Sequence, residues 1–455
     1  MSMSSSRFHA MPLRRLPLAV LLSFAFAGAS QAQSLVDIYE MAKGYDATYQ
    51  SAKAQYDANL AKADQGKAQL LPQVGLSAGA TRSQRDVTPT TAPSTTNYNY
   101  TTQTAGINAT QPLYRPANLA TYRQSQKSLE LAQAALNQAE QDLVVRVSQA
   151  YFDVLSAQDS LAFVQAQKAA VAEQLASAKR NFEVGTATIT DTREAQARFD
   201  LVTAQEIAAD NDLRVKTVAL ELLVGKAGLK PVRLQSGVNL PAVDGQGVDS
   251  WIAQSEQNHP TIRQARVNLD VAKLETEKAV AGHKPTVDLT LGYNSQKNIN
   301  GTSIQLTGVT NQINVASAGI TFNLPLYAGT ATQNRIRETT ALEEKARMDL
   351  EGAQRQVTQA TRTAYLGLQS GLGQVKAYEA AEASSQVALD ANKLGYQVGV
   401  RINIDVLNSQ SQLYQTKRDL AKARYDVLVG QLKLRQAAGV LKAEDLQPIN
   451  ALLAP

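Results

Sequence analysis

Two stretches decide the fold. One is Gly395-Tyr396-Gln397-Val398-Gly399-Val400-Arg401-Ile402-Asn403-Ile404-Asp405-Val406-Leu407. The other, 214 residues earlier, is Asn181-Phe182-Glu183-Val184-Gly185-Thr186-Ala187-Thr188-Ile189-Thr190-Asp191. Phe182 meets Tyr396, Val184-Gly185 meets Val398-Gly399, and Asp191 meets Asp405. A glycine that ends one helical pattern, followed by an acid in the first turn of the next, marks a tight helix–turn–helix reversal. The chain makes this reversal twice.

Working outward, the correspondence continues at an offset of 213 to 214 residues. Pro72 meets Pro285, and Gln111-Pro112-Leu113-Tyr114 meets Leu324-Pro325-Leu326-Tyr327. Ala150-Tyr151 meets Ala364-Tyr365, and Gly225 meets Gly439. Self-similarity at one fixed spacing is the mark of a repeat architecture. The reading is a tandem duplication: first repeat 33–225, linker 226–248, second repeat 249–439, and a tail at 440–455.

Each repeat runs helix, strand, loop, strand, very long helix, turn, helix. The first helix is expected over Leu35 to Leu70, and over Asp249 to Gly282 in the second repeat. The long helix begins after Pro116 or Gly329 and meets no proline for about 65 residues, on the order of 100 Å of helix. Leu129, Leu136 and Leu143 recur every seven residues; after a step of four, Val147, Val154, Leu161, Lys168, Leu175 and Phe182 continue the sevens. Leu350 and Val357, then Leu368, Val375, Glu382, Leu389 and Tyr396, repeat the pattern. Sustained sevens signal a coiled coil, and the four-residue step is a stutter that locally unwinds it. The return helix is expected over Asp191 to Leu223.

The strands alternate. Val287, Leu289, Leu291 and Tyr293 share one face, as do Ala316, Ala318, Ile320, Phe322 and Leu324. Val74, Leu76, Ala78 and Ala80, with Ala105, Ile107 and Ala109, repeat this more weakly. About 9–10 residues with one apolar face suit either a membrane-spanning barrel wall or an ordinary sheet packed on helices. Polar connections at Ser83 to Gln103 and Ser295 to Asn314 read as extracellular tips. Four strands cannot close a barrel, and open edges are not tolerated in lipid.

Residues 1–32 read as a secretory signal peptide, with Arg7, Arg14 and Arg15 before the apolar run Leu16 to Ala27 and small residues at Ser30-Gln31-Ala32. The formal charge of +5 then falls to +2, since the leader carries three arginines and no acid. That argues against a nucleic-acid partner. The chain has no cysteine, and His9, His259 and His283 are too scattered for a zinc helix. Gly245-Gln246-Gly247, a Gly-x-Gly, lies in the linker without a strand before it. No cofactor, no metal site and no enzymatic constellation are expected.

The duplicated pattern, with its two reversal motifs, resembles the TolC family of outer-membrane efflux and type I secretion channels over essentially the whole mature chain. The resemblance implies an α+β membrane protein. Three copies, each giving four strands, would share a 12-stranded outer-membrane β-barrel continuous with a long α-helical coiled-coil tunnel through the periplasm. It implies an exit duct, with a periplasmic adaptor, an inner-membrane transporter and outer-membrane lipid as partners. It implies gate links at the tunnel entrance, Asp191 with Tyr396 and Thr190 with Arg401. It also implies an acidic ring from Asp405; the family's second carboxylate position is Asn408 here, which weakens the expected cation preference. The alternative reading is an exported trimeric coiled-coil adhesin or structural stalk.

Overall fold

The computed structural model describes residues 33–88, 90–91, 94–235, 238, 240, 247–301 and 309–453. The expected leader lies outside these residues, as do part of the expected linker and part of the second expected loop. In chain order the first half contains α1 (Leu35–Tyr45), α2 (Ala47–Ala68), β1 (Gln73–Val87), β2 (Thr96–Tyr114), α3 (Pro116–Glu183) and α4 (Ile189–Val224). The second contains α5 (Val248–Asn258), α6 (Pro260–Val280), β3 (Thr286–Ile299), β4 (Asn311–Asn323), α7 (Ala331–Gln397) and α8 (Asn403–Ala437), followed by α9 (Leu446–Asn450).

The first helix of each half is broken, which corrects the expectation of one continuous helix. In the first half, Asp46 leaves helical geometry and caps α2, accepting from the Tyr49 amide at 2.7 Å. Arg146 of α3 holds the same carboxylate through two bonds of 2.9 and 3.0 Å. In the second half, the pyrrolidine of Pro260 pushes His259 into extended geometry. The His259 Nδ1 accepts from the Thr261 amide at 3.1 Å, so this histidine is a cap. Each half ends on a left-handed glycine packed against one of these breaks. A Cβ on Gly225 (φ +73) would lie 2.5 Å from the Tyr45 ring, and one on Gly439 (φ +71) 2.4 Å from the His259 Cα.

The strands are 15, 19, 14 and 13 residues long, well beyond the expected 9–10. Residues 83–87 pair with 96–100, inside the stretch expected to be loop. Those segments lack apolar alternation, but their backbones still pair, and Thr and Tyr suit a pleated surface. All four strands are antiparallel in the order β1-β2-β3-β4. Side chains on one face form the rows Val74–Ala109–Leu291–Ala318 and Leu76–Ile107–Tyr293–Ala316; the other face carries Asn108, Gly292 and Ser317. The apolar face is bare: Leu76 is 82% exposed and Ile320 69%. Arg115, at the start of α3, grips buried Asp288 of β3 through two bonds of 2.6 and 2.8 Å, clamping sheet to helices.

Away from the sheet the helices lie side by side. Near the strands the order is α2, α3, α6, α7; toward the tips it is α4, α3, α8, α7. The sevens read from the sequence face the inner seams, where Val147, Val154 and Leu175 of α3 and Leu368, Val375 and Leu389 of α7 are buried. The largest core lies at mid-height. Leu143, Val147, Tyr151 and Phe152 of α3 meet Leu35 and Ile38 of α1, and Leu428 and Leu432 of α8. Leu229 and Leu234 of the linker and Leu441, Leu446, Ile449 and Leu453 of the tail close over it. Tyr151 donates to the Val232 carbonyl at 2.8 Å, fastening the linker to the long helix. Each fully buried Leu or Ile here contributes roughly 1.5–3 kcal/mol over an exposed one.

Candidate functional site

The two reversals lie together at the end of the bundle farthest from the sheet. Both turn at a left-handed glycine, Gly185 (φ +80) and Gly399 (φ +81), and both close with the same pattern of backbone bonds. The amides of Thr186 and Ala187 reach the Asn181 carbonyl, and those of Val400 and Arg401 reach the Gly395 carbonyl.

The two aspartates one turn into α4 and α8 are used differently. Thr188 caps α4, and Asp191 completes a capping box: its Oδ2 accepts from the Thr188 amide at 2.9 Å and from the Thr188 hydroxyl at 2.7 Å. The equivalent cap on α8 is Ile402, which has no side-chain oxygen. Asp405 is therefore free of capping duty, and its nearest cation is Arg401 at 3.7 Å.

Between the hairpins of one chain run polar links that sequence reading did not identify. Asn181 donates to the Tyr396 hydroxyl at 3.3 Å. Asn403, fully buried, donates to the Asp191 carbonyl at 3.2 Å and accepts from Gln174 at 2.5 Å. Arg198 donates to Asn408 Oδ1 at 2.8 Å. Of the expected gate residues, Asp191, Tyr396 and Arg401 thus have these partners within one chain, and Thr190 is exposed at the tip. Asn403 gave no signal in the sequence, because its role depends on how two distant hairpins sit against each other.

Both lateral edges of the layer are unfinished. Among the described residues, strands β1 and β4 each lack a neighbour on their outer side. On α4, Leu201, Ala204, Ala208, Asn211, Val215, Val218 and Leu222 recur at alternating steps of three and four, and all are exposed. On α7, Leu366, Ser370, Gly373, Ala377, Ala380, Ser384, Val387, Ala391 and Leu394 do the same. Neither stripe contains a charge. Each is a second coiled-coil seam on the face turned away from the helix's own hairpin partner.

Bare apolar strands, free edges and paired tips are the features that known proteins share or lack. The outer membrane efflux protein family matches residues 38–226 and again 251–440. The chain belongs to this family. Outer membrane protein TolC of Vibrio cholerae is 34% identical over 96% of this chain and 98% of its own length. The alkaline protease secretion protein AprF of Pseudomonas aeruginosa is 32% identical over 92% of this chain and 87% of its own. The crystal structure of outer membrane protein VceC of Vibrio cholerae shares the fold, with a TM-score of 0.73 at 19% identity, covering 89% of this chain and 96% of that one. The adhesin or stalk alternative finds no counterpart among these relatives. Among the described residues, no helix is long and apolar enough to cross a membrane.

Proposed function

We propose that three copies of this chain close head to tail into one conduit. The protein is an outer-membrane exit duct for efflux or type I secretion, with its helices extending into the periplasm. The observation that carries the assembly is the pair of unfinished edges. In lipid an open strand edge costs several kcal/mol for each unpaired group. Pairing β1 of one copy with β4 of the next removes every edge. Two copies would give eight strands, a barrel filled by its own side chains; three give twelve, the smallest ring with room for a lumen. The same step brings the α4 seam of one copy against the α7 seam of its neighbour. The first half's outer elements thus meet the second half's outer elements at both levels. The double family match and the repeated breaks support a tandem duplication of one half-channel.

At the far end the tips form the gate. Asp191 with Tyr396 and Thr190 with Arg401 are the links that hold it shut in the assembled ring, in addition to those within one chain. Such bonds are individually worth about 0.5–3 kcal/mol, so an adaptor and an inner-membrane transporter can open them. Three copies of Asp405 form the acidic ring, and rings of carboxylates favour cations.

The absence of native cysteine gives a clean test. Ala208→Cys with Ala377→Cys places one thiol on each outer seam, at matching heights above the tips. Oxidation in membranes should yield a three-chain species on denaturing gels. Recovery of single chains only would contradict head-to-tail closure.

A further inference from the structure

One turn beyond Asp405, α8 and α4 diverge over α3 and leave a cleft of about 410 Å³. Its lining is unusual in charge. Two arginines, Arg198 from α4 and Arg418 from α8, face it with Gln167, Gln205, Asn408 and Gln412 and no carboxylate. Gln167 is almost fully buried, so it forms the floor.

Neither arginine is paired with an acid among the described residues. Arg198 gives one bond to the Asn408 amide oxygen at 2.8 Å. Arg418 gives bonds to Gln167 Oε1 at 3.1 Å and Gln415 Oε1 at 2.7 Å. The acid next to it, Asp419, is turned to Gln415, which donates to it at 2.9 Å. Asp405 faces Arg401 instead. Each guanidinium carries five donors, so most remain unused. Burial also pushes the Arg418 guanidinium below its ordinary pKa, with Asp419 only partly opposing this. A partly desolvated cation held only by amide oxygens is a charge without compensation.

We propose that this cleft is an anion site that takes a small oxyanion or carboxylate between Arg198 and Arg418. The fork of a guanidinium matches planar or tetrahedral oxyanions, and the surrounding amides add neutral donors. Asn408 is essential to this. A carboxylate at that position would lie at hydrogen-bonding distance from Arg198 and occupy the site from within. Read with the duct, on which this placement rests, an acidic ring at Asp405 is followed immediately inward by a basic one.

Binding is tested on the full-length protein in detergent by equilibrium dialysis against labelled inorganic sulfate at low ionic strength. Saturable binding of one sulfate per chain is expected. Arg198→Gln, a half-buried change that keeps the side chain's amide reach, should weaken it by about tenfold or more, the scale of one charge-assisted bond. Asn408→Asp should do the same, while Lys345→Gln, far off on α7, should change nothing. Displacement by N-acetylglutamate assigns the site to carboxylates of passing cargo as well; failure to displace restricts it to inorganic oxyanions. Absence of saturable binding, or full binding retained in both Arg198→Gln and Arg418→Gln, overturns the proposal. A protein that binds sulfate but passes no current would refute the duct and leave the site standing. A conducting protein without sulfate binding would do the reverse.

Discussion

At the scale of single residues, the two halves of the tip show how one motif serves two ends. Asp191 and Asp405 occupy equivalent places, but a threonine cap engages the first and an isoleucine leaves the second free. In the proposed duct the free carboxylate is the one that faces permeating ions. Asp405→Asn should therefore reduce cation preference, read as a shift in reversal potential under a salt gradient; an unaltered potential would remove Asp405 from the pore. Tyr396→Phe combined with Arg401→Ser deletes the hydroxyl that Asn181 reaches and the cation beside Asp405. Conductance should rise, and no change would remove both from the gate. Gly185, Gly399 and Asp405 were legible in the sequence, because turn chemistry is local. Asn181, Asn403 and Arg198 were not, because their partners lie 210 or more residues away on the other hairpin.

At the scale of elements, the long helices were legible because large side chains recur every seven residues along the inner seams. The outer seam of α7 was missed: Ser370, Gly373, Ala377, Ala380 and Ser384 produce almost no hydrophobic signal, although small residues let backbones approach closely. The break at Asp46 was missed as well, since one aspartate between Tyr45 and Ala47 gives no warning. It has a measurable consequence. The Arg146 bond, helped by the Tyr49 amide, holds the Asp46 carboxyl below the usual range despite the opposing effect of burial. A depressed folded-state pKa contributes stability that is fully present above the unfolded value and lost as pH falls through the folded one. Asp46→Asn should cost about 1–3 kcal/mol at neutral pH. Its difference from the parent in thermal unfolding should hold down to about pH 5 and shrink below about pH 4. A difference independent of pH would mean that packing, not charge, makes the joint.

At the scale of the whole molecule, the proposed ring makes the chain a sector and not a finished body. Among the described residues its sheet is bare on the apolar face, its outer strand edges are open, and its outer helices carry exposed, uncharged seams. Its buried mid-height core holds the sector together, with linker and tail strapped over the long helices. The linker and tail had read as mere connections, since their leucines are spaced irregularly and only the fold brings them to one place. Putting a charge on an outer seam, as in Ala380→Glu, should leave the mid-height core intact but prevent ring closure, read as loss of the three-chain species in native mass measurement. A normal trimer would place the interface elsewhere. The most direct test is electrical. Purified protein inserted into a planar bilayer should give discrete, small, cation-preferring conductance steps from a three-chain species; a single-chain species that passes no current would contradict the shared duct.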